Sequence, residues 1–197
     1  YEKNFFNNYA RERKFEVFTP RGYRRLADKF FNLISPQANE MALELGSGTG
    51  AFTKLITANG LKAIGVDISI DCIHRAKQDL PQIDFIVNDI EMLSLKDNSI
   101  DIIIYSGVLH HLPDLLLTLH EASRVLKKGG RCFAFEPNLR NPVMRLFRCT
   151  SSPFYYSKDL TTNERLLDKD ELVRQFTKVG FHVVHVEAIS GIAFKNM

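Results

Sequence analysis

A glycine turn and a row of carboxylates at successive strand ends are the residues through which this chain could do chemistry. Leu43-Glu44-Leu45-Gly46-Ser47-Gly48-Thr49-Gly50 reads as an apolar strand ending in a sharp turn, and Asp67 closes the next apolar run, Ile64-Gly65-Val66-Asp67-Ile68. Glycines let the backbone turn tightly and approach a ligand, while an acid at the end of the following strand can accept from both hydroxyls of a ribose. Asn88-Asp89-Ile90 follows a third run. There the Asp89 carboxylate could accept from an adenine amino group, Ile90 N–H could donate to a ring nitrogen, and Ile68 could pack on the base. Asp89 capping the loop from Glu91 to Asn98 accounts for the same residue equally well. Glu44 is an acid inside an apolar strand, which is costly without a partner, either a cationic ligand or a hydrogen bond to the first loop.

The fourth run ends in Ser106-Gly107-Val108-Leu109-His110-His111 and the fifth in Glu136-Pro137-Asn138. His111 and His110 are the candidate general bases, because imidazole alone changes charge near neutral pH without help. A histidine that only packs the loop before Pro113 is the plainer reading of either. No metal site is expected: His110 and His111 are adjacent, with no Cys, Asp or Glu at zinc-ligand spacing, and His182 and His185 fall on opposite faces of an expected strand.

These residues need a scaffold that brings strand ends together. Apolar runs predict strands at Ala42–Leu45, Lys62–Val66, Asp84–Val87, Ile100–Tyr105, Arg131–Phe135 and His182–Ala188, with helices at Ala51–Thr57, Ile70–Asp79, Pro113–Leu126 and Lys169–Lys178. Such alternation predicts an α/β fold, a Rossmann-like doubly wound, mostly parallel sheet with helices on both faces. Ligands in such sheets bind beyond the carboxyl ends of the strands, where strand order reverses, and all the residues above fall at those ends. Thr19-Pro20 opens an amphipathic helix to about Ile34, so residues 1–40 form an N-terminal helical arm. Residues 41–138 are the cofactor-binding core, and 168–197 a carboxyl-terminal helix and strand. Between them, 139–167 are an irregular insertion or lid broken by Pro142 and Pro153, with one short helix around Val143–Arg148.

Taken together, Glu44 to Gly50, Val66-Asp67, Asn88-Asp89-Ile90, Leu109-His110-His111-Leu112 and Leu126-Lys127-Lys128-Gly129-Gly130 resemble the class I S-adenosylmethionine-dependent methyltransferases. The resemblance is to their small-molecule branch, which includes quinone-biosynthesis enzymes, and it covers about Met41 to Asn138. It implies S-adenosyl-L-methionine as cofactor. Gly46, Ser47 and Gly48 would lie beside its methionine part, with Glu44 orienting that loop or the ammonium. Asp67 would hold the ribose, Asp89 and Ile90 the adenine, and the Ser106 backbone the ammonium. The family's sheet ends in an antiparallel hairpin whose last strand is expected near or beyond Ile192; the weakness of that strand here suggests a truncated chain.

Composition sets the remaining bounds. With 197 residues, 45% of them hydrophobic, and a net charge of +3, the chain reads as a single globular domain, 1–197, without an evident nucleic-acid module. No apolar run reaches the roughly 18 residues a membrane span needs. Three scattered cysteines fit a reducing, cytoplasmic setting. Basic residues outnumber acidic ones before residue 40 and between 137 and 165, flanking an acidic centre. The acceptor expected is a small or lipid-like molecule, and the basic flanks would suit an anionic one. Tyr23, Arg140 and Tyr155 are the candidate substrate residues, within a wider set comprising Phe15, Phe18, Phe147, Phe154, Tyr156, Arg21, Arg24, Arg145 and Arg148. Two rivals remain at this point. One is an NAD(P)-dependent oxidoreductase, since Gly46-x-Gly48-x-x-Ala51 satisfies the permissive dinucleotide fingerprint; the other is a non-catalytic methyltransferase-like binding or regulatory protein.

Overall fold

The computed structural model describes residues 2–11, 18–155, 161 and 163–188. Among them five strands, β1 (Met41–Leu45), β2 (Lys62–Asp67), β3 (Asp84–Val87), β4 (Ile100–Ser106) and β5 (Leu126–Phe135), form one sheet in the order β3-β2-β1-β4-β5. Every pairing is parallel. The chain winds outward from β1 through β2 to β3, then returns to the far side of β1 and continues through β4 to β5. Order therefore reverses between β1 and β4, which places a ligand cleft at their carboxyl ends.

The central strands are buried on both faces, and side-chain alternation splits the core in two. Leu43, Leu45, Ile103 and Tyr105 pack toward α5 (Leu115–Val125) and α7 (Lys169–Lys178), joined by Leu119, Ala122 and Phe176. Ala42, Ile102 and Ile104 pack on the other face against Leu26 and Phe30 of α2 (Pro20–Ile34) and Phe52 and Ile56 of α3 (Ala51–Ala58). Each such side chain, when fully buried, contributes about 1.5–3 kcal/mol. Glu44 shares the register of Ala42, so its carboxylate points to the α3 face.

The helix at Pro20 begins as expected: Thr19 accepts from Gly22 N–H, with proline first in the helix. Ahead of it lies α1 (Glu2–Arg11), which the sequence did not suggest. It packs on α4 (Ile70–Asp79) through Asn7 Oδ1, which accepts the Ser69 hydroxyl at 2.6 Å. The insertion is closed at its base by a bridge between Asn138 and Leu167, and contains α6 (Pro142–Arg148), capped by Asn141.

Three expectations need correction. β5 starts at Leu126 rather than Arg131, because residues 127–130 bulge between the Ile100–Leu126 and Ile102–Arg131 pairings while Lys127 Nζ bonds both oxygens of Asp101. Helix α5 begins at Leu115 rather than Pro113, because the Asp114 carboxylate caps it. His182–Ala188 forms no strand. A strand exists only when paired, and the segment expected to pair with it, near or beyond Ile192, lies outside the described residues, as do Phe15 and Tyr156.

Candidate active site

A cavity of about 1730 Å³ takes in the carboxyl ends of the strands, where Glu44, Gly46, Asp67, Asp89, Ser106 and His110 line it, and continues along β5 to residues 180–188. Beyond β1 the chain doubles back: Gly46 N–H and Ser47 N–H both donate to Val66 O, at 2.8 and 2.9 Å. Gly46 takes φ +75°, and a Cβ there would fall 2.4 Å from Val108 Cγ2. Glycine is thus required twice, by the left-handed backbone and by the packing of the two loops.

Asp67 ends β2 with its carboxylate turned into this loop. Oδ2 accepts Gly48 N–H and Oδ1 accepts Ser69 N–H, both at 2.8 Å. Burial raises its pKa above the ordinary value, opposed by these backbone donors. Each oxygen retains a lone pair for a further donor. Across the sheet, Glu44 accepts the Thr53 hydroxyl at 2.5 Å and a hydrogen bond from Ser106. Burial dominates there, pushing the carboxyl up to about 8, and no cation pairs with Glu44 among the described residues. The Ser47 hydroxyl is buried without a protein partner. A protonated acid under the glycine loop, lacking only a cation, fits the approach of an ammonium group.

At the far side of the glycine loop Ile68 is half-buried and Ile90 buried, and both line the cleft. Asp89 is exposed; its Oδ1 accepts Glu91 N–H at 2.9 Å, the loop-capping bond, while the residue also faces the cleft. The loop after β3 is held from behind by Arg124, whose guanidinium bonds the carbonyls of Leu93 and Leu95 and the carboxylates of Glu121 and Asp97.

After β4 the chain makes a short 3-10 turn, Leu109–His111. Glu136, at the end of β5, accepts Val108 N–H and Leu109 N–H on Oε1 and bonds His110 Nδ1 at 2.7 Å through Oε2. The two imidazoles lie against each other with centroids 4.0 Å apart, their planes tilted by 40°. His111 Nδ1 bonds Thr161 Oγ1 at 2.9 Å, and the ring meets Phe6 of α1 edge-on at 5.1 Å. Burial first, then His110 and Arg148, drives the His111 pKa down to about 2, so that ring is neutral.

The substrate candidates are scattered. Tyr23 lines the cleft and packs edge-on to Phe18, at a centroid distance of 5.2 Å. Arg140 also borders it, but its guanidinium bonds Asp168 and Asp170 at the start of α7. Tyr155 is exposed and outside the lining residues. Sequence reasoning gave no role to Thr53, Thr161, Phe6 or Glu136. Only Glu136 carried a signal, an acid placed between a strand and Pro137.

Residues 43–134 match the family described as "Methyltransferase domain". Over that stretch the chain is similar to the class I S-adenosylmethionine-dependent methyltransferases. It is similar to a demethylmenaquinone methyltransferase of Staphylococcus saprophyticus, 27% identical over 80% of this chain and 77% of that one. It is also similar to the 27-O-demethylrifamycin SV methyltransferase of Amycolatopsis mediterranei, 31% identical over 54% of this chain and 42% of that one. Among solved structures, a methyltransferase from Haloferax volcanii, determined in complex with the Trm112 activator, shares the fold at TM-score 0.70. That likeness covers 98% of this chain and 81% of the other at 18% identity. Beside the staphylococcal relative, the chain spans between 18% and 49% of the length of several others it matches. No helix of its described residues is long and apolar enough to cross a membrane.

Proposed function

We propose that this domain binds S-adenosylmethionine and directs its methyl group to a small organic acceptor with an apolar body. The observation that carries the reading is Glu44. A dinucleotide would bring its anionic pyrophosphate to the glycine turn, which would only hold the buried carboxyl in its neutral form and gain no charge pairing from it. The methionine half of S-adenosylmethionine instead brings an ammonium, which the carboxyl favours. Asp67 then takes the ribose hydroxyls, Asp89 and Ile90 the adenine edge, Ile68 its face, and Gly46, Ser47, Gly48 and Ser106 the methionine part.

When bound, the cofactor supplies an electrophilic methyl on a sulfonium, so the protein has mainly to align the acceptor and exclude water. Phe5 and Phe6 of α1, Phe18 and Tyr23 of the arm, Leu112 and Met144 border the cleft and provide an apolar surface for that purpose. The relatives named for demethylmenaquinone and a demethylrifamycin support a small organic acceptor rather than a macromolecule. His110 and His111 are the candidate proton acceptors where the methylated atom carries hydrogen.

Calorimetric titration with S-adenosylhomocysteine, S-adenosylmethionine and NAD tests the reading. Micromolar binding of the two sulfur nucleosides without NAD is expected; NAD binding without them overturns it. Failure of every small acceptor to yield S-adenosylhomocysteine from cofactor-loaded protein would leave a binding protein on this fold.

A further inference from the structure

The carboxylate of Glu136 is the most heavily used polar group in the cleft that the cofactor reading leaves without a task. Its side chain is 3% exposed and receives the N–H groups of Val108 and Leu109 on one oxygen and His110 Nδ1 on the other. We infer that Glu136 is a positioning residue: it fixes His110 in the tautomer that presents a bare Nε2 toward the acceptor, and with the same carboxylate locks the turn that follows β4. This rests on the methyl-transfer reading for its purpose, but not for its geometry.

The argument is one of donors and acceptors. A carboxylate bonded to backbone N–H groups offers only lone pairs, so the proton in its bond to His110 must lie on Nδ1. Nε2 is then the ring nitrogen free of hydrogen in the neutral imidazole. Free imidazole favours the opposite tautomer, so the partner is what selects this one. The ring edge is placed beside the post-β4 loop: Cε1 lies 3.9 Å from the position a Cβ would take on Gly107. His111 is differently equipped. Its Nδ1 bonds the Thr161 hydroxyl, which serves as donor or acceptor, while the Glu2 carboxylate stands 3.9 Å away, beyond hydrogen-bond distance, and the ring's pKa near 2 makes it a poor base.

In transfer to an O–H or N–H acceptor, a lone pair of the acceptor atom would form the new bond to the methyl carbon while the carbon–sulfur bond breaks and leaves its pair on sulfur; the O–H or N–H bond would break with its electron pair staying on the acceptor atom, and the proton would go to Nε2. The resulting imidazolium is stabilised by the Glu136 carboxylate at 2.7 Å and releases its proton to water after the product leaves.

The test is the tautomer itself, read from long-range proton–nitrogen NMR spectra of the whole chain at pH 8.5, with the His110 signals assigned by His110→Gln. The wild-type chain is expected to show the Nδ1–H form. Glu136→Gln keeps a carbonyl oxygen for Val108 and Leu109 but offers an N–H to the ring, and should convert His110 to the Nε2–H form. Turnover should then fall on the order of 10²–10⁴-fold while S-adenosylhomocysteine affinity stays within about twofold. A wild-type Nε2–H form overturns the inference even if the variant does not fold, as does an unchanged turnover in a folded variant. Absence of cofactor binding would instead defeat the methyl-transfer reading and leave the tautomer result standing.

Discussion

Asp67 Oδ2 and Gly48 N–H meet at 2.8 Å across 19 residues of sequence, so the acid that ends β2 also sets the shape of the loop that ends β1. The bond makes the glycine loop and the proposed ribose site one unit. Asp67→Ala should therefore weaken S-adenosylhomocysteine binding by about 1–3 kcal/mol, through the lost charge-assisted bonds and a loosened loop. Isothermal titration measures it, and an unaltered affinity would place the nucleoside elsewhere.

Gly46 and Gly60 both hold positive φ, +75° and +89°, but only Gly46 is crowded. Gly60→Ala isolates the backbone term, expected near 1 kcal/mol, because nothing lies within 4 Å of its Cβ. Gly46→Ala adds a collision with Val108 and should cost at least 1–3 kcal/mol more, the usual range for overpacking. Urea unfolding of the two variants gives the difference directly; equal losses would mean that the two loops separate without cost.

The strands, the cap at Thr19 and the acids at strand ends were legible because each depends on local pattern. Glu44 stood out as an acid among Leu43 and Leu45, and alternation alone would have sent it to the α3 face where Thr53 waits. What could not be read was contact between distant segments. α1 lies against α4 through Asn7 and Ser69, and Thr161 reaches His111 across fifty residues. Nothing in either partner's immediate sequence marks the other. Arg140 shows the converse: basic residues near a cleft suggest an anionic ligand, yet its fork is taken by Asp168 and Asp170. The expected strand at His182–Ala188 has the right alternation and no partner among the described residues, a reminder that a ladder needs two sides.

His111 makes acid stability predictable. Its folded pKa, near 2, lies below the ordinary value of 6.5, so between those limits the unfolded chain binds a proton that the folded chain refuses. Stability thus rises with pH across that window and falls as acid is added below about 6.5, by at most about 1.4 kcal/mol per pH unit from this group. His111→Gln retains a hydrogen-bonding amide for Thr161 without the titration. Its acid-unfolding midpoint, followed by circular dichroism, should lie at lower pH than that of the wild-type chain. An identical midpoint would show that His111 accepts a proton in the folded state.

Glu44 runs the other way. Its folded pKa of about 8 exceeds the ordinary 4.5, so between those values the folded chain holds a proton that the unfolded chain has lost. Stability from this group therefore falls as pH rises from about 4.5 to 8, and Glu44→Gln should flatten that decline. An ammonium brought beside the carboxyl favours its charged form and lowers its pKa. Binding of S-adenosylhomocysteine at pH 6.5 should consequently release close to one proton in the wild-type chain and almost none in Glu44→Gln, which should also bind more weakly. Calorimetry in two buffers of different ionisation enthalpy reads the proton count. Tight binding without proton release would mean that the ammonium is held elsewhere and that Glu44 serves only to tie the first strand to α3 through Thr53.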